Sequence, residues 1–166
     1  MTTPTPPLPG PFDLPAATYA YLERAATSLR EAITAREVPL RYALAHVAAL
    51  RTTAALLAAR ATPVRARRGR QVQKNAWVLL AEVAPELGEW AAFFSAGAGK
   101  RAAAEAGSAR AVTEREADDL VRDSDRFLGV VEELLGLTRH VPVEEQLPCP
   151  VPEPAAARTR RTDRVA

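Results

Sequence analysis

The stretch 113–136 reads TEREADDLVRDSDRFLGVVEELLG and has the clearest beginning and end of any helix that the sequence predicts. Thr113 is followed three residues later by Glu116, which is the spacing of a capping box at a helix start. Gly136 comes directly after Leu135, where a C-terminal stop is expected. Between these ends, apolar residues recur at helical spacing and predict one buried face. The apolar stripe consists of Ala117, Leu120, Val121, Phe127, Leu128, Val131, Leu134 and Leu135.

The composition extends this helical interpretation to the whole chain. Alanine, the strongest helix former, occupies 35 of the 166 positions. Isoleucine occurs once, at Ile33, and aromatic residues make up 5% of the chain. Because β-sandwiches and barrels are rich in β-branched and aromatic residues, an all-β fold is excluded.

Four more helical segments are predicted before residue 113. The first begins at Pro15 and runs to about Arg36, and the second begins at Pro39 and is ended by Pro63. Their predicted inward residues are Tyr19, Leu22, Ala26, Leu29 and Ile33 in the first, and Leu40, Leu44, Val47, Ala54 and Ala58 in the second.

The third segment starts near Arg70 and includes Trp77, and Pro85 then breaks it with a tight continuation into a fourth that runs to about Ala106. The predicted fold is therefore all-α, an antiparallel helical bundle of four to five helices.

Proline clusters at both ends of the chain set the expected domain limits. We expect a disordered tail at 1–13, one helical domain at 14–137 and a second disordered tail, rich in proline and arginine, at 138–166. Cys149 is the only cysteine, and neither a signal peptide nor a membrane-spanning stretch is evident. The protein is expected in the cytoplasm, without contact to a membrane.

Charge is unevenly distributed, although the net charge is only +2. Residues 24–70 contain ten arginines against two acids, whereas residues 114–133 contain eight acids against three arginines. One interpretation is that the two regions are solvated faces that lie side by side. The other is a basic surface that binds a nucleic-acid backbone without reading its sequence. Its candidate residues are Arg65, Arg67, Arg68, Arg70 and Lys74.

Motifs for metal ions, phosphate loops and nucleophile elbows are missing, so neither a metal nor a cofactor is expected. The remaining chemistry lies in RYALAH, where Arg41 and His46 are separated by four residues in a predicted helix. Histidine titrates near neutral pH and is suited to proton transfer, and arginine offers a planar fork to phosphate oxygens.

The wider sequence resembles the small stand-alone SAV-type HEPN proteins of high-GC bacteria, over about residues 14–137. The resemblance is carried by PLRYALAHVAALRTTAALLAAR at 39–60, NAWVLLAEVAPELGEWAAFF at 75–94, KRAAAE at 100–105 and VTEREADDL at 112–120. The resemblance implies a helical fold and a homodimer whose two motifs form one endoribonuclease site that cleaves RNA without a metal ion. In that site His46 would transfer a proton and Arg41 would stabilise charge on the phosphate.

A non-catalytic alternative is also open. Tyr42 stands where HEPN ribonucleases commonly have a small polar residue. In this alternative His46 is a structural histidine that packs between helices. Arg41 forms an ion pair with an acid of the last helix. The chain would then be an interaction module that engages a protein partner. A DNA-binding regulator is least favoured, because no helix-turn-helix is apparent.

Overall fold

The computed structural model describes residues 14–60 and 75–146. Five α-helices follow one another there: α1 (Ala16–Thr34), α2 (Val38–Arg60), α3 (Ala76–Val83), α4 (Gly88–Glu105) and α5 (Glu114–Leu134). Short 3-10 turns occupy Pro85–Leu87 and Val143–Gln146. The described ranges 14–60 and 75–146 contain no strand. The predicted all-α bundle is confirmed.

Helix α2 is the centre of the bundle and packs against α1, α3, α4 and α5. Its predicted inward stripe was wrong: Leu40 is 48% exposed, and Leu44 and Val47 are only partly buried. Small side chains let neighbouring helices approach α2 closely from several directions, so they take the interior positions. The buried residues are Tyr42, Ala43, Ala45, His46, Ala48, Ala49, Thr52, Thr53, Ala55 and Leu56.

The predicted inward face of α1 is partly correct, since Leu22 and Leu29 are buried as expected. Tyr19 was expected inside but is 42% exposed, whereas Thr18 and Ser28 are fully or almost fully buried. The hydroxyl of Ser28 accepts a hydrogen bond from Arg51 of α2 at 2.5 Å. A small polar side chain with a partner on the facing helix thus lies inside the α1–α2 contact, and the larger Tyr19 lies outside.

The ends of α5 agree with the prediction. The Thr113 hydroxyl accepts from the Glu116 backbone N–H at 3.2 Å, and the Glu116 carboxylate accepts from the Thr113 backbone N–H at 2.8 Å. Gly136 has φ +70°, which only glycine adopts without strain. The break at Pro85 is confirmed as well, since a 3-10 turn separates α3 from α4.

Aromatic rings from α3, α4 and α5 pack together in the core beside α2. Trp77 stacks on Phe94 with ring centroids 5.2 Å apart, and Trp90 lies 5.3 Å from Phe127. Phe94 and Phe127 are fully buried and 5.2 Å apart. Two rings of this cluster, Trp77 and Phe94, lie against His46 of α2.

By length and hydropathy, α2 is also the one helix in the described parts of the chain that could cross a membrane. More than half of its apolar window is buried inside the bundle, as expected for the core helix of a soluble protein. The bundle therefore accounts for its apolar character.

The packed structure continues beyond residue 137, where the sequence indicated a tail. Val143 is 2% exposed, and its backbone N–H donates to Asp125 of α5 at 3.3 Å. The 3-10 turn that contains Val143 packs against α1. An apolar side chain and a hydrogen bond thus hold residues 138–146 against the helices, and the tails predicted at 1–13 and from 147 onward lie outside the described residues.

Candidate functional site

His46, the histidine of the Arg-x4-His motif, lies inside the bundle with 1% of its surface exposed. Its Nε2 is 3.0 Å from the backbone carbonyl oxygen of Phe94 on α4. Two aromatic rings lie nearly perpendicular to the imidazole, with the Trp77 centroid at 5.5 Å and the Phe94 centroid at 6.1 Å. His46 therefore connects α2 to the aromatic core.

These contacts define the protonation state of His46. A carbonyl oxygen only accepts, so Nε2 carries the proton and donates it to Phe94. Nδ1 is buried and has no hydrogen-bond partner among the residues that the structure describes. Burial lowers the pKa of His46, because removal from water disfavours the charged imidazolium. The side chain is thus a neutral donor.

Arg41 is held by α5 and by the loop before α2. Its Nη1 donates to the Asp118 carboxylate at 2.5 Å, and Nη2 donates to the Ala35 carbonyl oxygen at 3.1 Å. The Arg41 side chain is 17% exposed. An ion pair with an acid of the last helix was the structural alternative for this residue, and Asp118 provides it.

Within one chain the structure does not join Arg41 and His46 into one site. Five residues along a helix turn two side chains about 140° apart and separate them by roughly 7.5 Å along the axis. Arg41 accordingly faces α5 and the loop, whereas His46 faces α4. The residues predicted to contact RNA lie outside the part of the chain that the structure describes. They are Arg65, Arg67, Arg68, Arg70 and Lys74.

A cluster of charges around His140 was not predicted from the sequence. Nδ1 of His140 lies 2.7 Å from Glu132 and Nε2 lies 2.8 Å from Asp125, so both ring nitrogens donate to carboxylates. The hydrogen bonds to Asp125 and Glu132 raise the pKa of His140 to about 9. The sequence contains a signal for this cluster, because Asp125 and Glu132 are seven residues apart and therefore lie on one face of α5.

The two histidines of the chain are expected to titrate far apart. An NMR titration of the imidazole resonances should give a midpoint of about 9 for His140 and one below 6.5 for His46. Since the folded pKa of His140 exceeds its unfolded value, its stabilising effect is complete below pH 6.5 and is lost as pH rises through 9. A midpoint near 6.5 for both would contradict the two environments.

The comparisons with known proteins agree with this fold. A family model described as SAV_6107-like HEPN matches residues 32–132, which include all of α2, α3 and α4 and most of α5. No curated protein and no solved structure matches the chain. Because the family model matches more than half of the residues, the chain belongs to the SAV_6107-like HEPN family.

Proposed function

We propose that this HEPN protein is a non-catalytic helical module that acts by binding another protein. The observation that carries the proposal is the burial of His46, which has 1% exposure and a hydrogen bond to Phe94. A general acid or base must come within hydrogen-bond distance of the proton that it transfers. Because His46 is buried against Trp77 and Phe94, an RNA 2′-hydroxyl cannot come within hydrogen-bond distance of its imidazole.

Arg41 supports the same proposal. A guanidinium stabilises a phosphate only when its donors are available, and those of Arg41 are used by Asp118 and the Ala35 carbonyl oxygen. To bind Arg41, an RNA phosphate would have to displace the Asp118 carboxylate from the guanidinium. The motif residues thus stabilise contacts between helices.

The charge of the described helices favours a protein partner over RNA. Residues 14–60 and 75–146 contain 13 lysines and arginines against 17 aspartates and glutamates, a net charge of −4. The phosphate backbone of RNA is repelled by such a surface. RNA binding would therefore depend on the basic residues between 61 and 74.

A cleavage assay tests the proposal. The purified chain is incubated with mixed cellular RNA in EDTA, beside Arg41→Ala and His46→Gln variants whose folding is checked by circular dichroism. We expect no cleavage above the buffer blank for any of the three proteins, with an added ribonuclease as positive control. Cleavage by the wild type that both folded variants lose would establish the nuclease and overturn the proposal.

A further inference from the structure

A cavity of about 340 Å³ opens at the start of α4, where this helix lies beside α5. It is lined by Glu89, Trp90 and Phe93 from α4 and by Asp123 from α5. The three α4 residues share one face of the helix, because residue 93 follows residues 89 and 90 by four and three positions. The cavity thus combines two aromatic rings with two carboxylates.

The two rings form a corner that is open to solvent. The ring of Phe93 stands at 88° to that of Trp90, with centroids 6.4 Å apart, and Phe93 is 47% exposed. Trp90 is fixed in place, since it stacks on Phe94 and lies 5.3 Å from Phe127 of α5. A cation over an aromatic face is attracted by the negative charge of the π system, so this corner suits an organic cation.

The two carboxylates add a negative charge to the cavity. Glu89 is exposed, and within residues 14–60 and 75–146 it forms no ion pair. The Asp123 side chain is 30% exposed and lies 3.7 Å from Arg126 of the same helix, which is a loose contact and contributes little. Arg126 does not line the cavity, so an incoming cation meets two carboxylates and no cationic side chain in its lining.

Arginine fits this combination better than other groups do. Its guanidinium is planar, stacks on aromatic rings and can donate two parallel N–H bonds to a carboxylate. A lysine ammonium is a strongly hydrated point charge, and a phosphate would be repelled by Glu89 and Asp123. An apolar side chain would cover Asp123 without giving it a partner, and aromatic rings offer no oxygen ligand to a metal ion.

The cavity also continues along the two helices. A second cavity of about 440 Å³ shares Phe93 and Asp123 with the first and extends to Lys100 and Glu116, which pair across α4 and α5. This extension leaves room for the residues that flank an arginine in a polypeptide. The surface therefore fits an arginine within a protein better than a free small cation.

We propose that the cavity between Glu89 and Asp123 binds an arginine side chain of a partner protein. In the complex the guanidinium donates to both carboxylates, and the arginine lies over the exposed face of Phe93. Its methylene groups then remove part of that ring from water. The inference rests on the proposed function, because it states the side chain by which the module recognises its protein partner.

An NMR titration of the full chain at low salt, where exposed charges are weakly screened, tests the inference. The probe is the blocked tripeptide acetyl-Gly-Arg-Gly-amide. The matched neutral control contains citrulline, which has the shape of arginine without its charge. The indole N–H resonance of Trp90 should shift to saturation, whereas that of Trp77, which is 4% exposed, should stay in place. We expect a dissociation constant of about 1 mM for the arginine peptide and about tenfold weaker binding of the citrulline peptide.

Two double variants with the same change in net charge separate the cavity from general electrostatics. Glu89→Gln with Asp123→Asn should weaken binding of the arginine peptide about tenfold. Glu23→Gln with Glu31→Gln, at exposed positions of α1, should leave it within about twofold of the wild type. Phe93→Leu keeps an apolar side chain but removes the ring, and should weaken binding about threefold.

Three results would each overturn the inference: no shift of the Trp90 resonance, equal binding of the citrulline and arginine peptides, or equal losses in the two double variants. An unchanged Trp77 resonance shows that the core of each variant is intact. If the arginine peptide does not bind, the proposed function still stands, with the partner bound elsewhere on the bundle. The proposed function fails on a different result, the cleavage of RNA in EDTA.

Discussion

Replacing His46 with alanine is expected to lower the free energy of unfolding by about 3 kcal/mol, which is typical for truncating a large buried side chain. The substitution leaves a cavity beneath Trp77 and Phe94 and removes the hydrogen bond to the Phe94 carbonyl oxygen. Denaturant unfolding at one fixed protein concentration measures the change.

Leu40→Ala is the control for this experiment. It truncates an apolar side chain on the same helix, but Leu40 is 48% exposed, so its loss should cost well under half as much. Equal effects of the two substitutions would show that His46 does not stabilise the core. A catalytic histidine in an open site would instead be replaced with little loss of stability and a large loss of turnover.

Gly97→Val is expected to destabilise the protein by about 2 kcal/mol, the usual magnitude for overpacking. A Cβ atom at Gly97 would lie 2.8 Å from the Tyr42 hydroxyl oxygen and 3.6 Å from Cδ2 of His46. Tyr42 is 5% exposed and cannot easily move aside, so α4 would have to shift away from α2. The same denaturant measurement applies.

Gly99 offers a matched control two residues further along α4. A Cβ atom there would meet nothing within 4 Å, and valine is a slightly better helix former than glycine. Gly99→Val should therefore leave the unfolding free energy within about 0.5 kcal/mol of the wild type. If both glycines tolerate valine equally, the close approach of α4 to the motif is not required for stability.

The two predictions concern one contact, in which α4 lies directly over Tyr42 and His46 of α2. Gly97 allows the approach, Phe94 supplies the carbonyl oxygen, and His46 donates to it. This arrangement favours a structural role for His46, whereas the family membership rests on the match over residues 32–132. The ribonuclease assignment of Arg41 and His46 stays a prediction that the cleavage assay addresses.

Much of the fold could be predicted because its signals are local. The capping box at Thr113, the glycine stop at Gly136 and the break at Pro85 each depend on residues within one or two helical turns. For α5 the inward face was also predicted correctly, since its polar and apolar residues differ strongly in hydropathy.

The inward faces of α1 and α2 could not be predicted in the same way. Alanine occupies buried and exposed positions on α1 and buried and partly buried positions on α2, so it does not mark the inward face of either helix. Tyr19 and Leu40 are exposed although both are large apolar residues. The face that is buried depends on how closely neighbouring helices approach, which is a property of the packed bundle.

The sequence by itself determined the helical class, the ends of the best-defined helices and the resemblance to the HEPN family. Helix propensity, capping and motif spacing depend on a few neighbouring residues, so they can be read directly from the sequence. Only the tertiary structure decided that His46 is enclosed by aromatic rings, that Arg41 is bound by Asp118 and that His140 joins Asp125 to Glu132. The physical reason is that burial and ion pairing depend on residues far apart in the chain, whose distances are set when the helices pack.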